Sequence, residues 1–164
     1  SVKAMLSHKG PVYMRIGNAP MPNLFEEEPF TIGKCRLIRE GSDVTLISTG
    51  SLTANAVAAS IKLSEAGISV EHIGLPTIYP LDEAMIAVSA RKTGKVVTVE
   101  EHYVYGGLGT AVSDLLSAVC PVHVHKLGIP NTYATSGPYK EILNKYGLDA
   151  RGIVDSVVHF ILKE

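Results

Sequence analysis

Neither sign of charge prevails in these 164 residues: 15 Lys and Arg stand against 16 Asp and Glu, a formal net charge of -1. No long basic run is present either, so the electrostatic footprint that nucleic acid requires is missing and DNA and RNA are set aside as partners. Cysteine is scarce. Cys35 and Cys120 lie far apart, share no CxxC spacing and have no neighbouring ligand cluster. That argues against a disulfide framework or a structural zinc site and for reduced thiols in a cytoplasmic protein. No stretch approaches about 18 uninterrupted apolar residues, and the N-terminus lacks the charged-then-apolar order of a secretory signal, so no membrane association is expected. Internal repeats and low-complexity tracts are missing as well. The sequence starts at Ser1 rather than Met, from which a processed or truncated polypeptide is expected.

What is there is a hydrophobic fraction of 46%, ample for one core at a length inside the single-domain range. Residues 1–30 differ from the rest. A short β-type run, Val12-Tyr13-Met14-Arg15-Ile16, is followed by Gly17, Pro20, Pro22, Glu26-Glu27-Glu28 and Pro29. Proline cannot donate to a sheet ladder and glutamate runs stay solvated, so the second part reads as a linker. A lone strand ahead of a linker has no neighbours, yet its backbone groups must be satisfied. A missing sheet upstream is therefore expected.

After the linker, Lys34 to Arg39 and Val44 to Ser48 are short β-type runs joined by Glu40-Gly41-Ser42-Asp43. This connection suits a hairpin, making the first run an antiparallel edge strand. From Val44 onward strands and helices alternate. A helix from about Leu52 to Ala66, ended by Gly67, leads to a strand from Val70 to Ile73. A second helix from Asp82, its N-cap, to Lys92 is stopped by Gly94 and precedes the strand Val96 to Glu100. Leu108, Ala111, Val112, Leu115, Leu116 and Val119 fall on one helical stripe that must face a sheet. Val122 to Leu127 is the next strand. Pro138 to Tyr146 and Ala150 to Leu162, the latter capped by Asp149, are the closing helices. The order predicts an α/β fold: a doubly wound, mostly parallel sheet of about five strands with one antiparallel edge strand and helices on both faces.

The residues that could carry chemistry gather at strand ends. Glu100 and Glu101 look like an acid/base pair, but neighbours in a strand point to opposite faces, which forbids a shared site. Either could act alone, accept hydrogen bonds from loop amides or pair across a subunit contact; charges at strand ends often anchor loops, so a structural or interface role is assigned to both. His102 has no second histidine or carboxylate at a familiar ligand spacing and is read as a hydrogen-bonded structural histidine. Gly106, Gly107 and Gly109 precede a helix as phosphate-binding glycines do. Their spacing is not GxGxxG and they follow a late strand, so tight strand-to-helix packing is the preferred reading. Ser51 is read as a helix cap that could also touch an anion. His123 and His125 share one strand face but have no third ligand in view. Arg15, the charged residue of its run, is placed either to clamp a phosphate bidentately or to stand as an edge charge in solvent. No metal ligands and no catalytic residue are assigned.

Four segments then fall into a pattern. Gly10-Pro11-Val12-Tyr13-Met14-Arg15, Ser48-Thr49-Gly50-Ser51, Val97-Thr98-Val99-Glu100-Glu101-His102 with Gly106-Gly107-Leu108-Gly109, and Ser136-Gly137 through Tyr146-Gly147-Leu148 resemble the C-terminal region of the transketolase family. The order and spacing hold over nearly the whole chain. The family includes transketolase, 1-deoxyxylulose-5-phosphate synthase and the beta subunits of 2-oxo acid dehydrogenases. The run from Ser136 to Leu148 is most similar to transketolase, especially the split form whose C-terminal half is a separate polypeptide.

The resemblance implies part of a thiamine-diphosphate enzyme of the pentose phosphate pathway, one that moves a two-carbon ketol unit from a ketose phosphate to an aldose phosphate. It implies that the cofactor and a divalent metal sit between two other domains, which bind the diphosphate and the pyrimidine. Residues 1–30 would then be the last strand of the pyrimidine-binding domain plus a linker, and 31–164 the C-terminal domain. An N-terminal thiamine-diphosphate-binding subunit or domain and a second copy in a homodimer are the implied partners. At the position of Arg15 the family has an arginine that contacts the substrate's phosphate, although Arg15-Ile16-Gly17 replaces the Ser-Arg-Gln setting of many full-length transketolases. The cofactor-activating glutamate, the Gly-Asp-Gly metal motif and the diphosphate-binding histidines of the family cannot be located, so this piece alone is expected to bind no cofactor and to be inactive. The competing expectations are a C-terminal domain from the synthase or the dehydrogenase beta subunit, a regulatory nucleotide- or anion-binding module using the Gly106 turn and Ser51, and a purely structural oligomerisation domain.

Overall fold

Strands that are buried at every position are covered on both faces, and β2 (Val44–Ser48) and β3 (Val70–Gly74) are of this kind. In the computed structural model, which describes residues 1–17, 20–26 and 28–163, they pair in parallel. β4 (Lys95–Tyr103) pairs in parallel with β2 and with β5 (His123–Ile129), and β1 (Arg36–Arg39) runs antiparallel to β3. The sheet order is β1-β3-β2-β4-β5, a doubly wound, mostly parallel sheet of five strands with one antiparallel edge.

The helices are α1 (Val2–Ser7), α2 (Thr53–Glu65, entered through a 3₁₀ turn at Gly50–Leu52), α3 (Glu83–Thr93), α4 (Leu108–Val119), α5 (Tyr139–Lys145) and α6 (Ala150–Leu162). Alternation along the strands decides which helices each face receives. Val44, Leu46, Val97 and Val99 pack with Leu52, Ala56 and Leu63 of the α2 side and with Ile153, Val157 and Phe160 of α6. Ile47, Ile73 and Val96 pack with Ile86 of α3 and with Leu108, Val112 and Leu116 of α4. The expected α4 stripe thus holds at its centre, while Val119 at its end is exposed. Asp82 and Asp149 cap α3 and α6 by accepting from the Met85 and Gly152 amides at 3.4 and 2.8 Å, and Gly94 ends α3 at φ 69°, a conformation that favours glycine.

One expectation needs correction. β1 and β2 do not form a hairpin: β1 pairs with β3, and the chain crosses the start of β3 before entering β2. The crossing is tight, with the Ser42 and Asp43 amides bonded to the Ser69 carbonyl at 3.1 and 2.8 Å. A Cβ on Gly41 would stand 2.1 Å from the Val70 carbonyl carbon. Glycine there marks a backbone approach, not a hairpin turn. Val12 to Ile16 joins no ladder of this sheet, as expected of a run whose pairing partners are not in this domain. Ahead of it lies α1, a single short helix that buries no residue and so has no apolar stripe to announce it. The described residues of the linker are mostly exposed, and two of them are tethered to the sheet. Arg36 bonds Glu28 at 2.6 Å and lies over the Phe25 ring at 4.1 Å, tying Phe25 and Glu28 to the outer strand; Glu27 lies outside the described residues.

Candidate functional site at the carboxyl end of the sheet

In an open α/β sheet the crevice that gathers ligands lies where the chain turns to opposite sides from two adjacent strands. Here those strands are β2 and β4: the chain leaves β2 toward α2 on one face and leaves β4 toward α4 on the other. The crevice is bounded by Ser48 to Ser51 and by Glu100 to His102. The Thr49 amide donates to the Val99 carbonyl at 3.3 Å and its hydroxyl to Leu75 at 2.7 Å, fixing the first of these loops.

The two glutamates serve opposite faces. Glu100 is buried on the α4 side, where its carboxylate accepts from the Leu108 and Gly109 amides, both at 2.7 Å. It therefore caps α4 from the neighbouring strand and satisfies amides that have no partner inside the helix. A Cβ on Gly107 would stand 2.0 Å from Glu100 Oε2, and one on Gly109 would stand 2.6 Å from Lys126. Gly106 has φ +79° with open space around it, so its glycine answers to backbone conformation instead of packing. These contacts remove the anion-binding reading of the turn: its amides already hold a carboxylate, which would repel a phosphate.

Glu101 faces the other way. Its carboxylate accepts from the Ser51 and Tyr139 hydroxyls, the latter at 2.8 Å, and its carbonyl accepts from Arg15 Nη1 at 2.9 Å. Ser51 therefore does not cap α2, which has no side-chain cap; its hydroxyl is turned across the crevice to β4. Arg15, though absent from any strand, is brought to the same place. Burial, together with the bond to and charge of Glu101, pushes the Tyr139 phenol above its usual pKa, keeping it a donor. Tyr139 carries no signal in the sequence, because its place depends on a contact 38 residues away.

The remaining candidates do not touch the Glu101 carboxylate. His102 is half exposed, 4.0 Å from Glu100, and its Nδ1 bonds the Tyr103 carbonyl at 2.9 Å; a carbonyl only accepts, so Nδ1 carries the proton. His123 and His125 start β5 and pack on Phe160, one edge-on at 4.9 Å and one stacked at 5.3 Å. His159 lines the same hollow, yet among the described residues no three His, Cys, Asp or Glu side chains are placed to hold a metal ion. No helix of the described residues is long and apolar enough to cross a membrane.

Comparison with known proteins agrees with this fold. The chain is 40% identical over 151 residues to the 6-deoxy-6-sulfo-D-fructose transketolase subunit SqwH of Clostridium sp. (strain MSTE9), covering 92% of this chain and 47% of that protein. It is 37% identical over 164 residues to an apulose-4-phosphate transketolase subunit of Phocaeicola vulgatus, covering 99% and 52%. A solved split-gene transketolase, described as an inactive beta4 tetramer, superposes with a TM-score of 0.91 at 37% identity over 98% of this chain and 52% of that one. The chain thus spans about half the length of these relatives. The family model described as the transketolase C-terminal domain matches residues 33–153, from before β1 into α6, and with it the chain belongs to the transketolase C-terminal domain family.

Proposed function

We propose that this chain is the C-terminal part of a thiamine-diphosphate-dependent transketolase that moves a two-carbon ketol unit between sugar phosphates in the cytoplasm. In this reading residues 1–30 are the tail of the pyrimidine-binding domain and the linker, and 31–164 brace a homodimer and complete the substrate entrance. The transketolase subunits among the relatives support a separate or upstream thiamine-diphosphate-binding partner. The acidic and imidazole groups described here do not fit a metal-bound diphosphate, for want of a ligand cluster. That cofactor would supply the carbanion chemistry from elsewhere in the enzyme, and this chain's own part is to bind and orient the sugar phosphate.

One observation carries the reading: the exposed Arg15 guanidinium is delivered to the sheet's carboxyl end, where Glu101 takes one of its donors. Five N–H groups in a planar fork suit a phosphate held bidentately. The test is Arg15→Ala in the intact enzyme, assayed with a phosphorylated acceptor and its unphosphorylated counterpart. Loss of a charged hydrogen-bond pair is worth about 1.5 to 3 kcal/mol, so the KM for the phosphorylated sugar should rise about 10- to 100-fold, with little change for the other. Equal effects on both would refute the assignment. The isolated chain, titrated calorimetrically with thiamine diphosphate and magnesium, should give no binding heat.

A further inference from the structure

Glu101 joins three parts of the fold that share no ladder with one another. Ser51 reaches it from the turn after β2, Tyr139 from the first residue of α5, and Arg15 from the stretch ahead of the linker. Its neighbour Glu100 shows what a purely structural carboxylate does in this fold: it is buried and caps a helix through backbone amides. Glu101 is half-buried, caps nothing and is held by two side-chain hydroxyls, while its own carbonyl holds the guanidinium.

A long arginine side chain loses rotamer entropy when it grips a ligand, and fixing it beforehand lowers that cost. One donor given to a fixed carbonyl sets the direction of the fork and leaves further N–H groups for a planar acceptor. The carbonyl is only as fixed as its residue. Here Glu101 lies where the β4–β5 register shifts, between Val99 and Tyr103, so the side-chain clamp supplies a constraint that the ladder does not.

We infer that Glu101, clamped by Ser51 and Tyr139, is a positioning residue that aims the Arg15 guanidinium at the phosphate of the substrate. This rests on the role proposed above for Arg15. The test compares Arg15→Ala, Glu101→Ala, Glu101→Gln, Tyr139→Phe and the Arg15→Ala/Glu101→Ala double variant in the intact enzyme, measuring kcat and KM with phosphorylated and unphosphorylated acceptors. Glu101→Ala should raise the KM for the phosphorylated sugar about 3- to 10-fold, in the lower part of the range of coupling between contacting groups, and leave kcat and the unphosphorylated substrate unchanged. Tyr139→Phe should move the same constant in the same direction by less. Glu101→Gln keeps an oxygen for both hydroxyls and should stay near the parent, and the double variant should be no worse than Arg15→Ala alone.

If Arg15→Ala fails to discriminate between the two acceptors, the phosphate assignment itself falls. If it discriminates while Glu101→Ala does not, or if the two losses multiply in the double variant, the positioning role falls and the assignment of Arg15 stands.

Discussion

A Cβ placed on Gly107 would stand 2.0 Å from Oε2 of Glu100, so the residue before α4 and the carboxylate that caps it occupy adjoining space with no slack. Gly107→Ala must displace a buried charge from two amides, and a loss of about 2 to 4 kcal/mol in unfolding free energy is expected. Glu100→Gln keeps the shape and one acceptor and should cost about 1 to 2 kcal/mol. Urea titration of both variants checks the order; a Gly107→Ala protein as stable as its parent would contradict the described packing.

His72 is fully buried in β3, its Nε2 2.9 Å from Ser48 Oγ and its Nδ1 without a partner among the described residues. Burial lowers its pKa from 6.5 to about 4. Between those values the unfolded chain binds a proton that the native state refuses, so stability is full above about pH 6.5 and falls as the pH drops toward 4. The loss is of the order of 3 kcal/mol. Denaturant midpoints measured from pH 4 to 7 should show a slope that His72→Gln reduces; an unchanged slope would remove His72 as its source.

Glu71 is buried beneath Lys92, whose ammonium lies 2.5 Å away, with Ser89 and the Gly41 amide as further donors. Burial alone would raise its pKa, but these bonds outweigh it and hold the carboxyl below the usual range. Its contribution to stability is present above the ordinary carboxylate pKa and is lost as the pH falls through the lowered one. Lys92→Met should destabilise by about 1 to 3 kcal/mol at pH 7, discounted for the half-exposed ammonium, and raise the Glu71 pKa in a carbonyl-detected NMR titration. Retention of the low value would show that Ser89 and Gly41 suffice.

Burial and the nearby Asp82 carboxylate push the Cys35 thiol up to about 12. The thiolate is the reactive form, so at pH 8 only about one Cys35 in 10,000 is ionised. Iodoacetamide should label it far more slowly in the native protein than in urea, which peptide mass analysis can follow. Equal rates would place the thiol in solvent.

Much of this architecture is legible in the residues alone, and the reasons are local. Asp82, Gly94 and Asp149 are helix ends whose chemistry lies within a few residues, and the α4 stripe repeats at the helical period. The connection Glu40-Gly41-Ser42-Asp43 reads as a hairpin because nothing local distinguishes a turn from a crossing; the difference lies in Val70, about 30 residues on, whose backbone Gly41 must nearly touch. The site is legible in its parts, since alternation alone sends Glu100 and Glu101 to different faces. Their partners are not: Ser51 and Tyr139 meet Glu101 across 50 and 38 residues, and no periodicity reports such distances.

Arg36 and Arg39 flank the outermost strand, and the first of them is pinned by Phe25 and Glu28. A sheet margin bearing fixed positive charge and a strap of preceding chain is a poor template for strand addition by another molecule. Exchange of Phe25 and Glu28 for alanine would release that strap and leave the Arg36 charge without its carboxylate partner.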